Sequence, residues 1–322
     1  MVQLFRAVLK KAIELGASDV HVNAGGPFRM RLRGQVVPVN GTPDLEPRDT
    51  AAIAAAILLD SKHATAQNVE SVVHDLTDLD CSYSLVGAGR FRVNLCSQRG
   101  SISATLRNIP IKLPDIAGLN LPPVLQSLAE QDRGLVLVTG VTGSGKSSTL
   151  AAMISHVNQT KAVKVVTIED PIEFLYKDDR AIVIQRELGG DTESFGRALK
   201  AALRQDPDII LVGEMRDIET VDIAIKAAET GHLVFSTVHT SDAVKTISRL
   251  VSVFPPAEQL SVRQRLAESL RGVVSQRLLP RADGKGRVPA VEVLVNTPTV
   301  ADLIADASRT DRKSTRLNSS HQ

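Results

Sequence analysis

The sequence of 322 residues contains no tryptophan, and only 3% of its residues are aromatic. Proteins that bind single-stranded nucleic acid stack bases on aromatic side chains, so this scarcity argues against such a surface. The charge is also nearly balanced, with 38 basic and 36 acidic residues. Because nucleic-acid binders usually carry a clear basic excess, we expect no nucleic acid among the partners.

Cysteines and long apolar runs are equally scarce. Cys81 and Cys96 are the only cysteines and form no CxxC motif, which is typical of a reducing compartment and predicts two buried thiols. No run reaches the roughly 18 apolar residues that a membrane span requires. Lys10 and Lys11 interrupt the apolar pattern at the N-terminus, so it does not resemble a signal peptide. The prediction is a cytoplasmic protein without direct membrane insertion.

The first part of the chain, residues 1–108, predicts an α+β domain with mostly antiparallel strands. The elements expected from periodicity and turn residues are a helix over 2–15 ended by Gly16, strands within 18–40, a helix over 50–59, a hairpin of 79–85 and 90–97, and a strand over 101–107. Asp49 or Thr50 is expected to cap the second helix. Gly87 and Gly89 are expected in the hairpin loop.

Prolines at positions 110, 114, 122 and 123 indicate a linker over residues 109–122, since proline interrupts regular elements. Beyond it, residues 123–305 alternate continuous apolar runs with helical patterns. The runs are Leu135–Val138, Val163–Ile168, Ile209–Val212 and Leu233–Val238. Such runs predict parallel strands buried on both faces, and therefore a doubly wound α/β sheet. Residues 306–322 are poor in apolar groups and predict a tail that is disordered or foreign to the natural gene.

Residues 140–147 read Gly-Val-Thr-Gly-Ser-Gly-Lys-Ser and match the phosphate-binding pattern G-x-x-x-x-G-K-[ST] in full. An apolar strand precedes them and a helical pattern follows, which is the context that the motif requires. The predicted nucleotide-binding residues are Gly140, Val141, Thr142, Gly143, Ser144, Gly145, Lys146, Ser147 and Ser148. Glycines let backbone N–H groups surround the phosphates, Lys146 is expected to reach the β- and γ-phosphates, and Ser147 is expected to bind Mg²⁺. The expected cofactors are therefore ATP and Mg²⁺.

Hydrolysis also requires an acid near the metal ion and a group that positions water. Glu214 follows the apolar run 209–212, and Glu169 ends the run 163–168. His239 follows a third such run. Because the carboxyl ends of parallel strands meet at one edge of a sheet, we expect these three side chains beside the phosphate loop. Asp208 precedes its strand, so we expect a structural role at the opposite edge.

An arginine that neutralises developing charge accelerates phosphoryl transfer. The candidates are Arg90, Arg92 and Arg107 in the first domain and Arg197, Arg204 and Arg216 nearer the phosphate loop. One or two of them are expected to act on the nucleotide, and the others are expected to be solvated or paired surface charges.

Several motifs occur in the order found in the secretion-superfamily ATPases of type II secretion and type IV pili. They are Gly140–Ser147, residues 167–173 (TIEDPIE), residues 206–217 (DPDIILVGEMRD), residues 227–232 (AAETGH) and residues 236–240 (STVHT). The chain resembles this family over about residues 3–305. Residues 17–22, 89–94 and 267–271 resemble the retraction ATPases of twitching motility within it. The last residues, 309–322, depart from the family pattern.

The resemblance implies properties that composition does not show. The first domain is expected to be PAS-like and the second to be a RecA-like P-loop NTPase domain. Glu169 would be the acid of the Asp box, Glu214 the Walker B acid and His239 a member of the His box, while Arg92 and Arg107 would close over the nucleotide. The active form would be a homohexamer at the inner-membrane pilus base, where it would act on a platform protein of the pilus machinery.

Four other functions are compatible with parts of the pattern. The nearest is an assembly or type II secretion ATPase of the same family, which would drive the opposite process. A P-loop kinase and a nucleic-acid motor share the loop, but the chain lacks an Arg-rich lid after the loop and stacking aromatics, respectively. A non-hydrolysing scaffold would not require Glu169 and Glu214.

Overall fold

The computed structural model describes residues 1–110, 112–282 and 286–306, and these residues form two compact units. The first unit contains the chain up to residue 110 together with Pro171–Leu175 and Gly189–Asp191. The second contains the remaining described residues. Among the residues described, no helix is both long enough and apolar enough to cross a bilayer.

The first unit is an α+β domain built on one antiparallel sheet. Its elements are α1 (Val2–Glu14), β1 (Asp19–Val22), β2 (Arg29–Leu32), β3 (Gln35–Pro38), α2 (Pro47–Asp60), α3 (Val69–His74), β4 (Asp78–Leu85), β5 (Gly89–Gln98) and β6 (Ser101–Asn108). The strand order is β3-β2-β1-β6-β5-β4, and every pair is antiparallel. The predicted antiparallel arrangement is confirmed.

The two faces of this sheet differ in polarity, as the alternation of side chains along a strand dictates. One face is apolar and packs into a core with α1 and α2. The residues of this core, all at most 1% exposed, include Phe5, Leu9, Val20, Ile53, Phe91, Val93 and Leu106. The alternate positions of β5 and β6 carry Arg92 and Arg107, which lie opposite each other in the register. The charged face is thus a direct result of the two-residue period.

Two local predictions in this unit are wrong. The second helix begins at Pro47 rather than near Thr50, and its N-cap is Glu46. Proline is favourable in the first turn, because its missing N–H has no helical partner there. Asp49 instead occupies the third helical position, where its carboxylate accepts from the Glu46 N–H at 2.9 Å and completes a capping box. Gly89 is the first residue of β5 and not part of the hairpin loop.

The second unit is built on a seven-stranded sheet. Its elements are α4 (Val124–Ala129), β7 (Gly134–Thr139), α5 (Lys146–Thr160), β8 (Lys164–Glu169), β9 (Ile182–Glu187), α6 (Phe195–Ala202), β10 (Ile209–Val212), α7 (Ile218–Glu229), β11 (Leu233–Val238), α8 (Ala243–Ser252), α9 (Gln259–Ser269), β12 (Leu270–Pro280), β13 (Arg287–Val295) and α10 (Pro298–Ala305). The order is β13-β12-β7-β11-β10-β8-β9, and all pairs except β12–β13 are parallel.

Helices cover both faces of this sheet, which explains the continuous apolar runs in the sequence. Leu135 and Leu137 of β7 pack on one side with α6 to α10. Val136 and Val138 pack on the other side with α4 and α5. The four predicted strands are confirmed. The strands β9, β12 and β13 were not predicted, and β12 places an additional strand directly beside the phosphate-loop strand.

Candidate active site

The phosphate loop connects the end of β7 to the start of α5, as the motif predicts. Gly140, Gly143 and Gly145 have φ angles of 146°, 76° and 89°, values that side chains rarely adopt. A Cβ atom on Gly140 would overlap the Ser144 side chain and the backbone carbonyl of Gln276. The backbone conformation therefore favours glycine at all three positions, and close packing adds a second requirement at Gly140.

Lys146 is the first residue of α5 and is only 9% exposed. Its Nζ donates to the carbonyl oxygens of Gly140 at 3.0 Å and Val141 at 3.2 Å. Within the described residues, the buried Ser144 hydroxyl has no hydrogen-bond partner. A buried ammonium, an unpartnered hydroxyl and a helix N-terminus around a glycine-lined loop fit a phosphate group.

A cavity of about 490 Å³ adjoins this loop. Gly140–Ser144 line one side, and Arg277, Leu278 and Arg287 from the β12–β13 hairpin line another. The volume lies within the range of about 300–1,000 Å³ that is typical of small-molecule sites. The surroundings of the loop therefore have room for a ligand larger than a phosphate.

The predicted acids and the histidine follow neighbouring strands of the sheet. In the register, Val212 of β10 pairs with Ile168 of β8 and with Ser236 of β11. Glu214, Glu169 and His239 consequently lie at the edge of the sheet where β7 leads into the phosphate loop, with β11 between β7 and β10 and with β8 beyond β10. Asp208 lies at the other edge, where its carboxylate accepts from the backbone N–H of Lys164 at 2.8 Å.

Both carboxylate oxygens of Glu214 are engaged. Oε2 lies 2.7 Å from an Arg216 guanidinium nitrogen, and Oε1 lies 3.3 Å from Nε2 of His239. Burial, the largest single influence, raises the pKa of Glu214. The Arg216 hydrogen bond and the charges of His239, Arg216 and Lys146 together outweigh it, so the pKa of Glu214 lies below its usual value. The carboxylate is thus held ionised and close to the lysine of the phosphate loop.

Glu169 is oriented by its own strand and by a neighbouring one. The Thr167 hydroxyl donates to Glu169 Oε1 at 2.6 Å, and the side-chain amide of Gln185 on β9 donates to the same oxygen at 3.2 Å. Thr167 is fully buried. Burial and the charge of Glu169 together raise the pKa of Tyr176 well above its usual value, so this phenol stays protonated beside the carboxylate.

The candidate arginines occupy different environments. Arg216 contacts a predicted acid, whereas Arg197 pairs with Glu193 at the surface. In the first unit, Arg107 Nε donates to the Asp19 carboxylate at 3.0 Å, and Asp19 itself is only 6% exposed. Arg107 lies opposite Arg92 in the register of β5 and β6, on the same face of the sheet. The predicted contact of these two arginines with nucleotide stays a prediction.

Magnesium was expected at Ser147, which is half-buried in the first turn of α5. Across residues 1–110, 112–282 and 286–306, no three His, Cys, Asp or Glu side chains are grouped to bind a metal ion. Mg²⁺ at nucleotide sites usually keeps several waters and binds one or two protein ligands plus phosphate oxygens. The Ser147 hydroxyl is an oxygen ligand of the kind that this pattern uses.

Three residues near the site were not identified from the sequence: Thr167, Gln185 and Gln276. Thr167 lies two residues before Glu169, so the alternation of a strand was a usable signal for its position. Gln185 and Gln276 come from strands that the sequence analysis did not assign. Their contacts join residues far apart in the chain, and no local pattern indicates them.

Comparison with known proteins supports the family suggested by the motifs. Residues 1–316 match the family described as "Type II/IV secretion system protein". The type IV pilus retraction ATPase PilT of Pseudomonas aeruginosa is 46% identical over 291 residues, which cover 90% of this chain and 82% of that protein. A twitching motility protein of Neisseria gonorrhoeae is 44% identical, with coverage of 90% and 74%.

A crystal structure of the pilus retraction motor PilT with bound ADP superimposes with a TM-score of 0.85 and 46% sequence identity. The alignment covers 94% of this chain and 86% of that one. The predicted fold class, a RecA-like domain after a smaller N-terminal α+β domain, is thereby confirmed. The chain belongs to the type II/IV secretion ATPase family.

Proposed function

We propose that this protein is an ATP-hydrolysing motor that drives retraction of type IV pili. The observation that carries the proposal is the 46% identity to a pilus retraction ATPase over 90% of the chain. The site supports it, since a complete phosphate loop lies beside ionised Glu214 and oriented Glu169. The same family model also covers type II and type IV secretion proteins, so the site alone supports ATP hydrolysis and the overall similarity supports retraction.

In the proposed site, residues 140–148 bind the phosphates of ATP, and Lys146 leaves its loop carbonyls to contact them. Glu169 accepts a proton from the attacking water, because Thr167 and Gln185 hold one of its oxygens in a fixed position. Glu214 and Ser147 would hold Mg²⁺, which when bound neutralises charge on the phosphate oxygens. His239 contacts Glu214 and is placed to report the state of the nucleotide to β11.

Mechanical work requires that the nucleotide state moves one part of the protein. We propose residues 109–122 as the hinge between a domain of residues 1–108 and one of residues 123–305. Arg92 and Arg107 of the first domain would contact the bound nucleotide, and its hydrolysis would release them. In a homohexamer, each subunit would contact its neighbours, so the domain movement of one subunit would be transmitted to the next.

The output would be received by a platform protein in the inner membrane at the base of the pilus. This places the motor on the cytoplasmic side, attached through its partner. Chemical crosslinking in cells, followed by identification of the bound membrane protein, tests this location. Size-exclusion chromatography with light scattering, with and without Mg-ATP, tests the hexamer.

The decisive experiment on direction is a deletion in the organism that encodes the chain. Excess fibres that do not retract, with loss of surface motility, are expected, and the intact gene but not its Lys146→Ala variant should restore motility. Bald cells would instead assign the protein to assembly. Phosphate release without an added acceptor distinguishes the motor from a kinase, and ATPase activity unaffected by DNA distinguishes it from a nucleic-acid motor.

A further inference from the structure

A buried glutamine links the phosphate loop to the neighbouring strand. Gln276 lies on β12, directly after the register pair between Ser275 and Thr139 of β7, and is only 3% exposed. Its Nε2 donates to the carbonyl oxygen of Ser144 at 2.6 Å, and its Oε1 accepts from the Thr149 hydroxyl at 2.7 Å. One side chain therefore connects β12 to both the loop and α5.

The orientation of this amide follows from its partners. The Ser144 carbonyl oxygen can only accept a hydrogen bond, so the NH₂ group of Gln276 must face it. Oε1 then faces Thr149, whose hydroxyl must donate. Glutamine satisfies both partners at once, whereas glutamate lacks the donor and methionine lacks both functions.

The contact with Ser144 controls the direction of a loop amide. In a trans peptide the carbonyl oxygen and the next N–H point to opposite sides of the same plane. Since the Ser144 oxygen points to Gln276, the Gly145 N–H points away from β12. Backbone N–H groups are the donors with which such loops hold phosphates. Gln276 thus sets the orientation of one of these donors from outside the loop.

The bonds that Lys146 makes to the loop cannot do the same task throughout the reaction. Lys146 holds the carbonyls of Gly140 and Val141, but these bonds break when the ammonium turns to a phosphate. The Gln276 bonds use Ser144 and Thr149 instead and do not compete with the ligand. They are available both before and after the nucleotide binds.

We propose that Gln276, which also lines the cavity, is a positioning residue that holds the phosphate loop in its binding conformation and raises nucleotide affinity through its bonds to Ser144 and Thr149. This inference rests on the proposed role of residues 140–148. The test is calorimetry of Mg-ADP binding to the full chain carrying Gln276→Met, which keeps the volume and removes both hydrogen bonds. We expect Kd to rise about tenfold, equivalent to about 1.4 kcal/mol.

A matched control separates positioning from general stability. Asn296 also donates from a side-chain amide to carbonyl oxygens, those of Ala267 at 2.8 Å and Leu270 at 2.9 Å, away from the loop. Asn296→Leu should reduce the melting temperature and leave Kd unchanged. In turnover assays Gln276→Met should raise KM for ATP with little change in kcat, the pattern of lost ground-state binding.

Thr149→Val provides a second variant, since it removes one bond and leaves the glutamine in place. We expect Kd to rise about threefold, with no added effect in the Gln276→Met background, because both changes act on one network. If Gln276→Met does not fold, Thr149→Val decides. If Gln276→Met folds, an unchanged Kd in that variant overturns the inference. If it does not fold, an unchanged Kd in Thr149→Val overturns it. An equal loss of affinity in Asn296→Leu overturns it in either case. Unchanged Kd in Lys146→Ala, measured alongside, would overturn the phosphate-loop proposal itself.

Discussion

The two sheets of this protein present their polar side chains in different places. In the antiparallel sheet of the first unit, one face is apolar and the other carries Asp19, Arg92 and Arg107. In the second unit, the parallel strands β7, β8, β10 and β11 are buried on both faces, and the polar groups follow the ends of these strands. The comparison teaches that parallel pairing directs chemistry to one edge, since every strand ends on the same side. In the antiparallel sheet, the face that does not pack on the core carries the charged side chains.

The polar groups at the edge of the parallel sheet are also less exposed than the arginine on the charged face. Lys146, Glu169 and Glu214 each have side-chain partners at 2.6–3.3 Å. On the charged face of the first unit, Arg107 is 69% exposed in its side chain, although Asp19 holds its Nε. Under the proposed function, the groups at the edge of the parallel sheet bind the nucleotide and activate the attacking water. The arginines on the charged face of the antiparallel sheet would contact the nucleotide only during turnover.

The largest expected effect is that of Lys146→Ala, in the phosphate loop that follows β7 at the edge of the parallel sheet. Hydrogen bonds from charged groups contribute up to about 3 kcal/mol each, so Kd for Mg-ADP should rise about 100-fold and ATPase activity should be lost. Calorimetry and a phosphate-release assay measure both. Lys200→Ala, which breaks only a surface pair with Glu219, is the control and should behave as the unmodified chain.

The next largest effect concerns the charged face of the antiparallel sheet. The double variant Arg92→Ala/Arg107→Ala should lower kcat by about 10³, the lower end of the range for arginines that neutralise developing charge. Kd for Mg-ADP should change far less, because these residues act on the transition state. Arg48→Ala, an exposed pair with Glu46 on α2, serves as the control. Turnover that remains at the original rate would leave the charged face without a catalytic role.

A third prediction compares the two ends of one strand. Glu214→Gln at the carboxyl end of β10 should lower kcat by about 10² while nucleotide binding is retained, because the variant loses the negative charge with which Glu214 would hold Mg²⁺ and the loss of one electrostatic group in a site costs at least about this much. Asp208→Asn at the other end should reduce stability slightly, because an amide oxygen accepts from the Lys164 N–H more weakly than a carboxylate does, and leave kcat unchanged. Similar kcat values for both variants would mean that position along the strand does not determine function.

The smallest effect concerns pH. Arg216 helps to hold the pKa of Glu214 below its usual value, against the opposing effect of burial. Removing it in Arg216→Ala should raise that pKa, so the carboxylate becomes protonated at a higher pH. The acidic limb of the kcat/KM profile should therefore move to higher pH, and Arg216→Lys should partly restore it. Arg197→Ala, paired with Glu193, should leave the limb in place.

Much of the fold could be predicted because the relevant forces are local or periodic. The apolar runs in β7, β8, β10 and β11 indicate burial on both faces. The glycines within residues 140–147 indicate the backbone conformation of the phosphate loop. The cap of α2 was assigned wrongly because Asp49 can serve either as an N-cap or as the returning side chain of a capping box. The choice depended on Pro47, which fixes where the helix begins.

The predicted hinge, the hexamer and the contacts of Arg92 and Arg107 with nucleotide stay predictions. They depend on movement between domains or between subunits, which neither the sequence pattern nor the geometry within each unit determines. The predicted tail, apart from Asp306, lies outside the described residues.

By itself, the sequence determined the chemistry of this protein: a phosphate loop, two carboxylates and a histidine, each attached to an apolar strand. These follow from short-range rules on glycine, helix ends and strand periodicity. The tertiary structure decided which groups act together. Gln276 on the loop and Arg216 on Glu214 are two such pairings. The first joins residues more than a hundred positions apart and is set by the packing of β12 against β7. The second joins residues two positions apart and is set by how the chain turns after β10.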